Sequence, residues 1–278
     1  MNILLLDSYN LIHRARFEFG GKLASGENQI IYIFFRSLKP ILDRFSPDKV
    51  YFVLDGNPKN RLSIDSEYKG NRIKDNLSEE EQKYWESFHI QKRFIINFVK
   101  NNLPFTTVYH PDFECDDIIN YLALNTDGNK TIVSSDTDFI QTLDLSESTK
   151  LWNPVAQAYR ERMDVEYLRY KSLVGDRTDN IPGVKGVGKV GAIKMLKDNS
   201  IFNKKIMDEE FRNQYNHSYS LVKFADLSYY KNNIEYYIGS FDKEFLRNSF
   251  TELNFKSMLS EPYFSKYSHT MESIGESN

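Results

Sequence analysis

The sequence predicts an α/β fold, a mostly parallel sheet flanked by helices, followed by a helical region that carries a helix–hairpin–helix. Three observations predict it. Short β-like runs alternate with helical stretches over the first two-thirds of the 278 residues, acids stand at the ends of three of those runs, and turn glycines crowd residues 183–191. Residues 3–6 read as a buried strand. Residues 28–45 follow as an amphipathic helix, with Ile31, Phe34, Phe35, Leu38, Ile41 and Leu42 at helical spacing. Residues 50–54 are a second strand. Ser78 with Glu81 three places on is a capping-box pattern, opening a long helix to Asn101 ahead of Pro104. Residues 105–109 and 130–134 are two more strands, separated by a helix around 117–124. Beyond Trp152 the chain reads as short helices rich in Tyr, Phe, Lys and Asn. That part is expected to be a packed helical annex with a polar, frayed tail at 269–278. A division is placed near residue 170, giving parts 1–170 and 171–278 with no flexible linker between them.

Composition narrows the function classes. Hydrophobic residues make up 40% and charged residues 27%, a globular balance that argues against disorder. No apolar run approaches the roughly 18–20 residues of a membrane helix. The start, MNILLLDSYN, lacks a basic n-region, so no secretory signal is expected. The single cysteine, Cys115, excludes an intramolecular disulfide and a thiolate zinc site, and fits a cytoplasmic setting. Cys115 itself is expected to be a small packing residue.

The acids are the most informative feature. Asp7 ends the first strand, Asp55 the second, and Asp136 with Asp138 closes the TIVSSDTD strand. In open parallel sheets the carboxyl ends of the strands form the ligand-binding edge. Aspartate is common in turns after strands, which explains one or two of these positions better than three. Glu114, Asp116 and Asp117 precede an apolar helical run, where a helix cap accounts for one carboxylate. Asp176 and Asp179, in GDRTDN, share a face if the turn is helical and are otherwise a solvated turn. Nine clustered carboxylates need neutralising. An all-oxygen set without nearby His or Cys favours hard divalent ions, two Mg²⁺ or Mn²⁺, suited to phosphodiester displacement. Setting the nine aside turns the net charge of −3 into +6 for the remainder, as expected of a nucleic-acid enzyme.

Two basic segments complete the pattern. In RLSIDSEYKGNRIKD, Tyr68, Lys69, Arg72 and Lys74 cluster beside Asp55. Lys69 and Arg72 could stabilise charge on a scissile phosphate, and Tyr68 could stack on a base. The bland alternative is a solvated surface loop. NIPGVKGVGK, residues 180–189, has the spacing of a hairpin that offers backbone N–H groups to DNA phosphates. Segment 185–205 carries six lysines against one aspartate, which suits a phosphate track.

LLLDSYN, VLDGNPKNR, EYKGNR, FECDDII, SSDTDFIQ and GDRTDNIPGVKGVGKVGA occur in this order over about residues 3–196. As an ordered set they resemble the flap endonuclease / 5′–3′ exonuclease family, and most of all its phage replication members of the ribonuclease H type. The resemblance implies a PIN-like core, an arch at about 60–100, and a helix–three-turn–helix module. It implies metal-dependent cleavage near the 5′ end of branched, flap or nicked duplex DNA and of RNA primers on DNA. It places Asp7, Asp55, Glu114 and Asp116 around a first ion. Asp136, Asp138, Asp176 and Asp179 fall toward a second, with Asp117 in support. Lys69 and Arg72 match the basic pair at the scissile phosphate. Arg61, Tyr68, Gly183, Lys185, Gly186, Gly188 and Lys189 are expected to meet DNA, with K⁺ as a helper at the hairpin. A monomer is expected, with no membrane partner, and with a single-stranded DNA-binding protein or a sliding clamp as a partner. If the gene is phage-borne, the setting is the host cytoplasm.

The hairpin departs from the family's usual G-[IV]-G-P-K-T-A ending. Here it reads GVGKVGA, with Lys189 one place early and Gly191 for the threonine, at a cost of about 1 kcal/mol in helix propensity. Three alternatives remain open at this stage. A PIN-like RNase would need neither the hairpin nor EYKGNR, and a silent branched-DNA binder would tolerate lost acids. A phosphatase would carry a DxD pattern where this chain reads DSY.

Overall fold

The computed structural model describes residues 1–17, 22–72 and 77–275. Its strands are β1 (Asn2–Asp7), β2 (Lys49–Val53), β3 (Thr106–Tyr109), β4 (Asn129–Val133), β5 (Thr149–Asn153), β6 (Ala158–Arg160) and β7 (Glu235–Ile238). The helices in the first half are α1 (Ser8–Arg14), α2 (Gln29–Phe45), α3 (Lys59–Ile64), α4 (Glu79–Asn102), α5 (Cys115–Asn125) and α6 (Ile140–Leu145). Those in the second half are α7 (Tyr167–Val174), α8 (Lys189–Lys197), α9 (Asn199–Lys205), α10 (Glu209–Val222), α11 (Lys243–Glu252), α12 (Lys256–Leu259) and α13 (Tyr263–Gly275). Among the described residues no helix is long and apolar enough to cross a membrane.

The strands form one sheet in the order β6-β5-β4-β1-β2-β3-β7. Five inner strands are parallel, and the two edge strands run antiparallel. This is the mostly parallel sheet the alternation predicts. Side chains on a strand alternate between faces, and β1 shows what that does. Leu4 and Leu6 join the core under α2 and α4, while Ile3 and Leu5 join the core under α5 and α6. A strand buried on both faces must be apolar at every position, so β1 stays hydrophobic until Asp7. The long helix begins with both halves of the capping box. Ser78 Oγ accepts from the Glu81 amide, and the Glu81 carboxylate accepts from Ser78 N–H at 3.0 Å.

The C-terminal region differs from the expected helical annex. β7 pairs with β3 from Thr106↔Ile238 to Tyr109↔Glu235. Leu246, Phe250, Met258, Phe264 and Tyr267 are buried in the same core as Phe35 and Phe98. The tail, expected to fray over 269–278, is helical as far as Gly275, with Met271 and Ile274 buried on α13, while residues 276–278 lie outside the described residues. A glutamate–Tyr–Tyr–Ile run of four residues is too short to distinguish strand from helix by periodicity. A third, smaller core holds α7 to α10 together through Leu173, Val184, Met195, Phe202 and Tyr215.

Between α7 and α8 the backbone makes the turn that the glycines permit. Gly175 and Gly183 both take positive φ, +73° and +69°, and lie back to back. A Cβ on Gly183 would sit 2.6 Å from the Gly175 nitrogen and 2.8 Å from the Leu173 carbonyl. Gly183→Ala is therefore expected to lose about 3 kcal/mol, combining left-handed strain with overpacking. A thermal melt checks this, and a midpoint within a degree of the parent would sink the close-approach argument.

Candidate metal centre

The carboxyl ends of β1, β2 and β4 deliver acids to one cleft, joined there by the start of α5. Asp7 caps α1, accepting from the Asn10 amide at 3.0 Å, and its other oxygen accepts from Ser134 Oγ at 2.7 Å. Asp55 accepts from the Cys115 amide at 2.7 Å, which ties the end of β2 to α5. Asp136 N–H returns to Ser134 Oγ at 3.1 Å, so Ser134, fully buried, links the first and third strand ends. Cys115 is buried, as expected of a packing residue, with its sulfur 3.8 Å from Asp7.

These carboxylates are crowded, and their proton affinities show it. Burial raises Asp7 above the ordinary range. Burial, with Glu114 and Asp7 nearby, pushes Asp55 up to about 6. Asp136 keeps an exposed edge, but desolvation of its inner side and the charge of Asp138 push it up to about 7. Asp116 is raised well above its usual value by burial, and by Asp117 and Glu114 against the pull of Arg61. Glu114 goes the other way. Burial would raise it, but Lys69 and Arg61 outweigh burial and lower it.

Glu114, Asp116 and Asp117 can bring one carboxylate oxygen each within 4.8 Å of one another. Asp117, however, differs from the expected ligand set. It is fully buried, and both its oxygens accept from Arg61, at 2.7 and 2.9 Å, while Oδ1 also accepts from the Ala225 amide. It is the buried counter-charge of Arg61. Arg61 in turn is 2% exposed, donating to Glu114 at 2.7 Å and to the Leu221 carbonyl at 3.0 Å. An arginine so enclosed has no route to a DNA strand, which corrects the expectation that it binds DNA.

Tyr68 is corrected likewise. Its ring is 5% exposed and packs with Ile181, Leu221 and Val222, and its hydroxyl donates to Glu114 at 3.1 Å, so no face remains for a base. The segment around it is no solvated loop. Lys69 N–H donates to the Asp179 carbonyl at 3.0 Å, Asn71 to the Arg177 carbonyl and Asn180 to the Glu67 carbonyl. Lys69 is ion-paired to Glu114 and Asp179, and Arg72 to Asp179. Lys74 lies outside the described residues.

Asp138 and Asp176 meet around a residue that sequence reasoning missed. Lys171 donates to Asp138 at 3.0 Å and to Asp176 at 2.7 Å, and Tyr167 donates to Asp138 at 2.8 Å. Burial would lower the Lys171 ammonium, but Asp138 and its other partners raise it. The lysine stands five places before Asp176, and only the Gly175 turn folds the two together. Spacing gives no signal for that.

The hairpin presents part of the surface expected of it. Gly186, Gly188 and Gly191 face open space, with no atom of the described residues within 4 Å of where a Cβ would stand. α8 starts after Gly188 without a side-chain cap, so its first N–H groups are available to an anion. Lys185 and Lys189 are exposed. Gly183 is corrected, because it is buried and its N–H donates to Ser218 Oγ at 3.1 Å. The Lys185 N–H is held by Gln214 at 2.8 Å.

The donor set fits divalent metal. It is all carboxylate, and four of its members are held above their ordinary proton affinity, a strain that a bound cation relieves. A group whose folded pKa is raised loses its stabilising contribution as pH rises from its ordinary value, near 4, through the folded one. Asp55 and Asp136 therefore predict that the metal-free protein loses stability between about pH 4 and pH 7–8. Mg²⁺ at about a hundredfold excess over its Kd should return about 2.7 kcal/mol, roughly 5–10 °C of melting temperature. The gain should be larger at pH 8 than at pH 5. Equal midpoints with Mg²⁺ and with EDTA at pH 8 would count against a metal centre.

Comparison with known proteins agrees with this geometry. The family model described as 5′-3′ exonuclease, N-terminal resolvase-like domain, matches residues 2–172. The 5′-3′ exonuclease of Aquifex aeolicus is 28% identical over 93% of this chain and 94% of its own. DNA polymerase I of Caldicellulosiruptor bescii is 31% identical over 72% of this chain, which corresponds to 25% of that polymerase. The chain thus spans about a quarter of the length of the polymerases it matches. The fold is shared with the bacteriophage T5 flap endonuclease solved with DNA and metal ions, at a TM-score of 0.66, 16% identity, and coverage of 99% of this chain and 100% of that one. Flap endonuclease-1 of Methanococcus jannaschii gives 0.62 at 12% identity, covering 99% and 92%. With more than half of its length matched by the family model and its strand-end acids assembled in one cleft, the protein belongs to the flap endonuclease / 5′–3′ exonuclease family.

Proposed function

We propose that this chain is a structure-specific 5′ nuclease that hydrolyses phosphodiesters near the 5′ end of flap, branched or nicked duplex DNA and of RNA primers paired to DNA. The observation that carries the reading is the cleft itself, where Asp7, Asp55 and Asp136 from three strand ends face Glu114 and Asp116 across one sheet edge. Asp7, Asp55, Glu114 and Asp116 would hold one Mg²⁺ or Mn²⁺. Asp136, Asp138, Asp176 and Asp179 would lie toward a second, some of them through water. Bound there, the ions would supply a lowered pKa for the attacking water and charge neutralisation at the phosphate.

The protein's own groups divide the remaining work. Arg61 fixes Glu114 and Asp117 in one orientation, so the start of α5 is preorganised. Lys69 and Arg72 are cations on the Glu114 and Asp179 side of the cleft, and a scissile phosphate would compete with those two carboxylates for them. Exposed N–H groups at the start of α8, with Lys185 and Lys189, support a duplex-backbone track, and K⁺ is proposed to assist there. Of the part from residue 171, the hairpin and α8 to α10 would grip duplex, while β7 and α11 to α13 complete the core of the part that would cut. Within 60–100, Arg61, Tyr68, Phe88, Ile95 and Phe98 are buried and residues 73–76 lie outside the described residues, so the proposed arch is confined to the exposed stretch ahead of Phe88, and the protein would work as a monomer. A single-stranded DNA-binding protein or a sliding clamp is proposed as its replication partner.

The test is cleavage of an internally labelled 5′-flap DNA with Mg²⁺, beside the same reaction in EDTA and with Asp136→Asn. Metal-dependent products cut near the junction and lost in the variant are expected. Tight binding without cleavage across a Mg²⁺ and Mn²⁺ titration would make the protein a branched-DNA binder instead.

A further inference from the structure

The seam between α1 and α4 carries a further set of cations, and its inner end lies beside Asp55. Tyr9, His13 and Arg16 follow one another along α1 and its C-terminal turn, and they meet Lys92, Phe88 and Trp85 of α4 in that order. At the inner end the Lys92 ammonium lies over the Tyr9 ring, 4.4 Å from its centroid and 3.5 Å from its hydroxyl. Burial, with Asp55 next, raises the Tyr9 phenol to about 12, and burial lowers the Lys92 ammonium against the pull of Asp55. Both groups therefore stand close enough to Asp55 to feel its charge. At the outer end the Arg16 guanidinium lies 4.3 Å from the Trp85 ring centroid. It donates to the Tyr84 hydroxyl at 3.1 Å and to His13 Nδ1 at 3.3 Å. Arginine can only donate, so His13 is the acceptor and is uncharged there, and burial with Arg16 holds its pKa down at about 4.

Helix packing alone does not account for these charges. Lys69, Arg72 and Lys171, which line the rest of the cleft, each have a carboxylate partner. Lys92 and Arg16 are half-buried, and among the described residues neither lies within ion-pair distance of a carboxylate. A cation withdrawn from water without a counter-charge is costly, and an anion entering the seam would supply one. Both side chains keep donors for it. Arginine has five N–H donors and lysine three, of which the contacts above use two on Arg16 and one on Lys92. From Tyr9 to Arg16 the seam runs about 10 Å at ~1.5 Å per residue, the length of about three nucleotides at ~3.4 Å each. Cations interleaved with aromatic rings are how proteins hold single-stranded nucleic acid. A small free anion would fill one end of the seam and leave the other cation unmatched.

We infer that this seam holds the single-stranded 5′ portion of the strand being cut, Lys92 taking a phosphate beside Asp55 and Arg16 a phosphate further out. The inference rests on the nuclease reading above and adds two substrate contacts to it. It is tested on the whole protein by anisotropy of fluorescein-labelled flap DNA in EDTA, over a salt titration, with flaps of one and of five nucleotides. Lys92→Met is expected to flatten the slope of log affinity against log salt by about 0.7 with either flap, the value for one phosphate contact on a single strand. Arg16→Gln should do the same with the longer flap only. Lys92→Arg and Arg16→Lys keep the charges and should restore the parent slopes. An unchanged slope in Lys92→Met or in Arg16→Gln on the longer flap would overturn the inference. So would equal losses in the charge-keeping variants, which would make the seam a packing contact between helices. An Arg16→Gln effect of the same size on both flaps would overturn it too, because no strand would then run outward along the seam. A parent protein that neither binds nor cuts flaps would bring down the nuclease reading and this inference together. A parent that cuts flaps, with variants of unaltered slope, would bring down this inference alone.

Discussion

Asp116→Asn is expected to lower Mg²⁺-dependent flap cleavage by at least about a thousandfold while raising the melting temperature of the metal-free protein. Losing one inner carboxylate removes several kcal/mol of transition-state stabilisation, and about 4 kcal/mol corresponds to a factor of ~10³. The stability arm follows from the same crowding. Asp116 is held far above its ordinary proton affinity, so its ionised form destabilises the empty fold at neutral pH. Asparagine keeps an Oδ1 that can accept from the Asp117 amide, which Asp116 does at 2.7 Å, and drops the charge. Single-turnover cleavage and a melt in EDTA at pH 8 read the two arms. If activity and stability fall together, the carboxylate is structural and the metal-centre argument fails at this residue.

Arg61→Met is expected to cost 3–5 kcal/mol, the range for removing one partner from a buried pair. That is roughly 6–20 °C of melting temperature. The loss comes from Asp117, fully buried, whose charge would be left, among the described residues, with only the Ala225 amide. The double variant Arg61→Met/Asp117→Asn keeps an acceptor for Ala225 and removes both charges, so it should recover at least half of the loss. Additive losses in the two single variants would show that the pair is not the source of the effect. Cleavage in the double variant separates fold from function, because Glu114 would keep Lys69 but lose its arginine.

What could be read in advance, and what could not, divides along a physical line. Asp7, Asp55 and Asp136 were legible because a buried parallel strand must be apolar, so an acid can appear only at its end, and those ends share an edge. Ser78 and Glu81 were legible because a capping box is a local contact. Arg61, Tyr68 and Lys171 were not. Their roles depend on Asp117, Glu114 and Asp138, brought to them by the tertiary fold, and a basic residue headed for burial looks in sequence like one headed for solvent. β5, β6 and β7 were missed for a related reason. Runs such as AYR and EYYI become strands because a neighbouring edge is waiting for them, which is tertiary information.

The return of residues 235–274 to the main core sets an order of events during synthesis. β3 finds its β7 partner only after more than a hundred further residues have been made, and Phe35, Phe98 and Phe105 wait as long for the cover of α11 and α13. Such late, long-range closure slows folding. It also keeps an incomplete chain exposed and prone to aggregate. A ribosome-bound chain that has already brought its strand-end acids together would hold them on an unfinished scaffold until residues 235–274 had been made.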